Sequence, residues 1–313
     1  MREIFVADAH CDFLYGMYRH HYDIRELSAG QSVYLPYLRQ GGVKLQFFAI
    51  WIDRALKTPP LQQCLGMVDA YYRMLDENDT FTPLTRDFSP DGEKIATVLT
   101  VESGEAIEGS LAALRVLKKL GVAAMTLTWN QNNELAGAAM GRGGKGLTTL
   151  GRETVKEMER INIAVDVSHL SDEGIDDLLG MAQKPIFASH SNARGVYDCP
   201  RALADAHIAA IAAKGGVVGV NFFYKQLCGN SNAGIEDIVK HILHIVKVGG
   251  IGCCCIGSDF DGMTQYPRDL ENSAMLQDLA AALLRTGLSR EDVERVAYKN
   301  LYDYIIGFLP KVP

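Results

Sequence analysis

The sequence predicts an α/β protein, a TIM-type (β/α)8 barrel. Three observations favour this fold: eight short apolar runs recur along the 313 residues, amphipathic segments separate them, and the runs are nearly continuously apolar. Runs without alternation are typical of parallel strands that are covered on both faces. A doubly wound open sheet is the structural alternative, but no Gly-x-Gly-x-x-Gly motif follows a strand to support a dinucleotide fold. We expect a single domain over residues 1–313.

The predicted strands are rich in Val, Ile, Phe and Thr. They are residues 4–10, 43–52, 94–102, 122–130, 162–169, 184–191, 215–223 and 253–262. Helical spacing is found in residues 104–121, 149–162, 171–182, 199–216, 234–250 and 289–305. Ser171 and Ser289 are the expected N-caps of two of these helices. Two irregular stretches, 17–40 and 53–65, follow strands and are therefore expected on the active face of the barrel.

The composition excludes several classes of function. Hydrophobic residues make up 48% and charged residues 22%, as in soluble globular proteins. The net charge is −7 and no basic block occurs, so we expect no nucleic-acid partner. No run of 18 apolar residues occurs, so we expect no membrane span. The seven cysteines form no CxxC motif and MREIFVAD lacks a signal-peptide core, which together favour reduced thiols and a cytoplasmic location.

Metal-binding residue types stand where several of the predicted strands end. His10 and Asp12 follow the first strand, two residues apart and on one face. Glu102 ends the third strand, His169 the fifth and His190 the sixth. Because the active site of a barrel lies at the C-terminal ends of its strands, we expect these side chains to meet. His, Asp and Glu at one mouth indicate a divalent metal, zinc above all.

The same pattern suggests how such a site would work. Two metals about 3.5–4 Å apart need a bridging carboxylate, for which Glu102 is the natural candidate. A bridging hydroxide would then be the nucleophile, and Asp259, at the eighth strand, is a spare carboxylate for moving protons. Asp8 is expected to support His10 from behind. Asp261 is either a further metal ligand or, as we favour, orients the glycine-rich turn that contains it.

These residues, in this order, resemble the membrane (renal-type) dipeptidase family, zinc-dependent dipeptidases of the metal-dependent hydrolase superfamily. The motifs that carry the resemblance are DAHCD, VESGEA, DVSHLS, ASHSNARGVYDCPRAL and IGSDFDG, and they run from residue 8 to about residue 262. The resemblance implies two zinc ions per chain. His10 and Asp12 would hold one ion, His169 and His190 would hold the other, and Glu102 would bridge them.

The resemblance also implies roles for residues beyond the ligands. Asp259 would accept the proton of the water and deliver one to the leaving amine. Arg201 corresponds to the family's arginine that pairs with the substrate carboxylate, which a guanidinium fork can bind bidentately. Animal members carry Leu-Thr-His at the fourth strand, whereas this chain has Trp129 and Asn130 after Leu-Thr. Trp129 can offer the substrate only an indole N–H. Asn130, Asn133 and Glu134 either line the pocket or cap a loop.

The predicted function is therefore hydrolysis of the amide bond of dipeptides by a zinc-activated bridging hydroxide. The resemblance adds tolerance of a D-residue at the C-terminal position, and a homodimer. Another binuclear-zinc amidohydrolase, an N-acyl-amino-acid deacylase or a lactonase, would use the same water activation. A non-catalytic barrel that binds metal or ligand is the third reading, and the spare Asp259 argues against it. His-x-Asp in place of His-x-His weighs against a deaminase.

Overall fold

The strands form one parallel sheet in the computed structural model, which describes residues 3–143 and 145–309. They are Val6–Asp8 (β1), Val43–Trp51 (β2), Phe81–Pro83 (β3), Ile95–Glu102 (β4), Val122–Thr126 (β5), Ala164–Asp166 (β6), Val218–Val220 (β7) and Cys254–Ile256 (β8). The order across the sheet is β6-β5-β4-β2-β1-β8-β7, and β3 pairs with the first residues of β4. These strands form a half-barrel of the α/β class.

The structure differs from the predicted strands at two places. Residues 184–191 form no strand ladder, because Phe187 bridges Asp166 on one side while Ala188 bridges Val218 on the other. The neighbouring strands β6 and β7 thus each pair with only one residue of this segment. The short strand β3 was not predicted, since only three residues of it are extended. Each of the other predicted strands contains a strand of the structure.

Helices connect most of the strands. They are Phe13–His20 (α1), Leu35–Gln40 (α2), Pro60–Asp76 (α3), Leu111–Lys119 (α4), Thr149–Arg160 (α5), Asp172–Met181 (α6), Asp205–Ala213 (α7), Tyr224–Leu227 (α8), Ile235–Gly249 (α9), Leu276–Arg285 (α10), Arg290–Glu294 (α11) and Asn300–Ile306 (α12). A π-helical turn, Arg295–Lys299, joins α11 to α12. The two predicted N-caps are confirmed: Ser171 Oγ accepts the Gly174 N–H at 3.1 Å, and Ser289 forms a capping box with Asp292.

Two predicted helices begin later than their sequence pattern indicates. The 199–216 segment becomes helical only at Asp205, because the preceding residues form a loop whose Leu203 N–H bonds to the Asn192 carbonyl at 2.8 Å. The 104–121 segment starts as a 3₁₀ turn and becomes α4 only after Gly109. Gly109 has φ +70°, a conformation that interrupts a right-handed helix and that glycine adopts without strain. The helix α3 also begins inside a stretch that was predicted to be irregular.

Apart from β3, the strands are buried on both faces, which explains their continuous apolar sequence. All eight residues of β4 are buried. On β2, Phe48 belongs to the cluster between the sheet and the outer helices, whereas its neighbour Phe47 belongs to a second cluster on the opposite face. That second cluster includes side chains of α12, and the Tyr304 ring lies 5.0 Å from that of Phe187. In residues 3–143 and 145–309, no helix is both long and apolar enough to cross a membrane.

Candidate active site

The ends of β1 and β8 carry the first half of the site. Two backbone hydrogen bonds join them: Asp12 N–H donates to the Phe260 carbonyl at 2.9 Å, and Asp259 N–H to the His10 carbonyl at 3.2 Å. This cross-bonding places His10 Nε2 3.6 Å from Asp12 Oδ2 and 3.9 Å from Asp259 Oδ1. Gly262 completes the turn, and a Cβ there would lie 2.1 Å from Asp12 Oδ2.

The second half of the site comes from β4 and from the residues after β6 and Phe187. Glu102, the last residue of β4, has its Oε1 2.8 Å from His169 Nε2 and 3.4 Å from His190 Nε2. Its other oxygen, Oε2, is 3.8 Å from His10 Nε2. Glu102 therefore lies between His169 and His190 on one side and His10 on the other. The five predicted ligands and Asp259 all meet in this one place.

Polar partners behind the two histidines fix their orientation. His169 Nδ1 lies 2.9 Å from Asn130 Oδ1, and His190 Nδ1 lies 2.8 Å from Ser189 Oγ. Since Asn130 Oδ1 can only accept, His169 carries its proton on Nδ1 and its Nε2 lone pair faces the site. His169 Nε2 and His190 Nε2 are 2.9 Å apart, beside a carboxylate oxygen. Two imidazole nitrogens and a carboxylate oxygen thus converge, an arrangement that a bound cation or a shared proton would stabilise.

Burial and neighbouring charges shift the pKa values in the site. Burial lowers the pKa of His169 and of His190, so both imidazoles are neutral and able to coordinate a metal. Burial also opposes protonation of His10, but the carboxylates of Glu102, Asp12 and Asp259 outweigh it and raise the pKa of His10 to about 10. Burial raises the pKa of Glu102 well above its usual range. These shifts describe a buried, acidic site that favours a bound cation.

The donor set fits a divalent metal such as zinc. His10 Nε2 and Asp12 Oδ1 are buried and have no hydrogen-bond partner within the described residues. Ligand atoms of His10, Glu102 and His190 lie within 4.8 Å of one another, and so do those of His10, Asp12 and Asp259. Imidazole nitrogens and carboxylate oxygens are the ligands that zinc prefers in hydrolase sites. The second group brings Asp259, the predicted proton shuttle, within reach of the same cation.

Asn221 supports Asp259 and was not predicted from the sequence as a site residue. Its Nδ2 donates to Asp259 Oδ2 at 2.9 Å, while its backbone N–H donates to Asn192 Oδ1 at 3.1 Å. The first contact leaves Asp259 Oδ1 turned toward His10. Burial raises the pKa of Asp259 to about 6. Asn221 directly follows β7, so the rule that polar residues at strand ends form the site would have identified it.

A cavity of about 480 Å³ opens above these residues. Its lining includes the predicted substrate residues Arg201, Trp129 and Asn130, together with Asp12, Glu102, His169 and Asp259. Arg201 is 7% exposed, its Nη2 donates to the His190 carbonyl at 3.2 Å, and its Nε has no partner among the described residues. The Trp129 ring packs edge-on against Trp51 with centroids 5.0 Å apart. Asn130 has two roles, because it lines the cavity and its Oδ1 also lies 2.9 Å from His169 Nδ1.

Three neighbouring residues act as structural supports. Asp8 accepts hydrogen bonds from the Ser258 N–H at 2.8 Å and from the His10 backbone N–H at 3.3 Å, so it supports the His10 backbone and not the ring. Asp261 binds a loop far along the chain: its Oδ1 accepts from the Ser32 N–H at 2.6 Å. Asn133 caps its own loop through the Leu135 N–H at 2.9 Å, which decides between the two roles considered for it.

Comparisons with known proteins agree with this geometry. The family model described as membrane dipeptidase (peptidase family M19) matches residues 1–303. Two uncharacterized dipeptidases of Schizosaccharomyces pombe are 34% and 33% identical, over 84% of this chain and 69% and 70% of their own lengths. A Rhodobacter sphaeroides metallopeptidase, solved with a phosphinate mimic of the dipeptide L-Ala-D-Ala, superimposes with a TM-score of 0.89 at 26% identity, covering 97% of this chain and 99% of its own.

The family model spans nearly the whole chain and includes every residue of the site. A solved dipeptidase of family M19 likewise superimposes with a TM-score of 0.89 and 26% identity, over 97% of this chain and 98% of that one. The chain belongs to the membrane dipeptidase family, peptidase family M19, and is a metal-dependent dipeptidase.

Proposed function

We propose that the chain cleaves dipeptides with two zinc ions bridged by Glu102. His10 and Asp12 would hold one ion, and His169 and His190 the other. The observation that carries this assignment is the position of Glu102, whose Oε1 faces His169 and His190 while its Oε2 faces His10. When bound, two zinc ions activate a water molecule and polarise the scissile carbonyl.

The chain's own residues would orient the substrate and move the proton. Arg201 supplies a buried guanidinium for the terminal carboxylate of a dipeptide, which favours short substrates over proteins. Asp259 Oδ1 faces the reacting centre while Asn221 holds Oδ2, so Oδ1 is the atom that would receive a proton and pass it to the leaving amine. The Trp129 ring also lines the cavity, edge-on to Trp51.

We also propose that the half-barrel closes into the (β/α)8 barrel predicted from the sequence. The isolated bridges of Phe187 to Asp166 and of Ala188 to Val218 support closure, because they link β6 to β7 through residues 184–191. β1 already pairs with β8. The ligands then come from strands at both ends of the chain, which supports one catalytic domain over 1–313.

A D-residue at the C-terminal position of the substrate is proposed from the Rhodobacter sphaeroides relative, whose bound mimic represents L-Ala-D-Ala.

A reducing, cytoplasmic environment is proposed from the cysteines, all seven of which are free thiols, five of them buried. The homodimer stays a prediction from the family.

The test is release of amino acids from a panel of L-L, L-D and D-D dipeptides by zinc-loaded protein, with a chelator-treated sample as the control. We expect chelator-sensitive release, and the panel then gives the stereochemical preference. Zinc-loaded protein that releases nothing from any member would contradict the proposal. N-acyl amino acids and lactones in the same assay would reveal the other two hydrolase activities.

A further inference from the structure

The cavity lining combines aromatic and cationic side chains. Tyr15, Trp51 and Trp129 form an aromatic cluster in it, with ring centroids 4.8 Å apart for Tyr15 and Trp51 and 5.0 Å apart for Trp51 and Trp129. The loop that carries Arg201 and the short helix α8 with Lys225 contribute two cations to the same lining. A substrate group that carries negative charge is therefore attracted to Arg201 and Lys225.

Lys225 is a cation without a carboxylate partner in residues 3–143 and 145–309. Its Nζ lies above two rings, 5.6 Å from the centroid of Phe223 and 5.8 Å from that of Tyr224. Phe223 also lines the cavity, so these contacts hold the ammonium at the cavity wall. Lys240, on the neighbouring helix α9, is by contrast paired with Asp237 at 2.8 Å. The free charge of Lys225 is thus available to a ligand.

Resting on the proposed function, we infer that Lys225 selects dipeptides whose C-terminal residue has an acidic side chain, aspartate or glutamate. Arg201 would bind the α-carboxylate of that residue, and the side chain of that residue begins one atom away, within the cavity that Lys225 also lines. A second carboxylate on that side chain can then meet the ammonium of Lys225. A lysine or arginine at the same substrate position would be repelled by both cations.

The experiment compares two substrates of equal shape, Ala-Glu and Ala-Gln, with the C-terminal residue in L and in D configuration. In whichever configuration is cleaved, the zinc-loaded protein should cleave the glutamate substrate with a kcat/KM about two- to fivefold higher than the glutamine substrate, as expected for a partly exposed ion pair. The difference should shrink in high salt. Lys225→Met should remove the preference, and Lys225→Arg should keep it.

Lys247→Met is the matched control, because Lys247 is an exposed lysine on α9 outside the cavity lining. We expect this variant to keep the full preference for glutamate. Equal kcat/KM values for glutamate and glutamine in the unmodified protein would overturn the inference alone. A Lys225→Met variant that loses activity equally on the glutamate and glutamine substrates would also overturn the inference. No cleavage of any dipeptide would overturn the proposed function and the inference with it.

Discussion

Replacing Arg201 tests how the site recognises the end of its substrate. The guanidinium is almost fully buried, makes one hydrogen bond to the His190 carbonyl, and has no carboxylate within 4.0 Å in the described part of the chain. Burial lowers the pKa of Arg201, which records the cost of holding this charge away from water. A buried cation with so few partners is most simply explained by a ligand that brings the missing anion.

The expected size of the effect follows from this burial. Losing one partner of a buried, hydrogen-bonded charge pair costs about 2–5 kcal/mol, so Arg201→Met should lower kcat/KM for a dipeptide by about 30-fold or more. Arg201→Lys should recover part of the loss, since a lysine keeps the charge but not the fork. The melting temperature of Arg201→Met should not fall much, because the substitution removes a buried charge that has no carboxylate within 4.0 Å among the described residues.

The assay pairs each enzyme with a dipeptide and with its C-terminal amide. The unmodified protein should prefer the free acid by about 30-fold or more, and Arg201→Met should show little preference. Arg115→Met is the control, because Arg115 pairs with Glu157 at 3.0 Å outside the cavity lining. A variant without Arg201 that still prefers the acid as strongly as the unmodified protein would refute this reasoning.

Three further predictions concern the reacting centre. Asp259→Asn should lower kcat by about 10²–10⁴-fold while zinc content, measured by elemental analysis, stays unchanged; an unchanged kcat would contradict its role. Asn130→Ala should weaken zinc binding by about 10–100-fold in a chelator competition, because His169 loses the acceptor of its Nδ1 proton. Gly262→Ala should impair zinc binding because its Cβ would lie 2.1 Å from Asp12 Oδ2, whereas Gly180→Ala, with nothing within 4 Å, should bind zinc normally.

The candidate ligands were predictable because each follows a recognisable apolar run. His10, Glu102 and His169 stand at strand ends, and parallel strands bring such residues together whatever their separation in sequence. The same rule would also have found Asn221 after β7. The structure of residues 184–191 was harder to predict. This segment pairs with β6 and with β7 through one residue each, and such pairing leaves no pattern in the sequence.

Other parts of the site depend on contacts that no local pattern reveals. Asp261 holds Ser32 across 229 positions of the chain, so its partner could not be chosen from the sequence. The role of Asn130 was open for the same reason, because both a pocket-lining and a capping asparagine satisfy the local sequence. Its contact with His169, 39 positions away, shows that one side chain both lines the cavity and orients a predicted ligand.

The most direct test of the two-zinc account is a titration of metal-free protein with zinc while the initial rate of dipeptide cleavage is followed. We predict that activity rises until two equivalents per chain are bound and then stays constant. The Glu102→Gln variant should fail to retain the second equivalent, because it loses the charge that faces both halves of the site. Full activity at one equivalent, or cleavage without any zinc, would contradict the account.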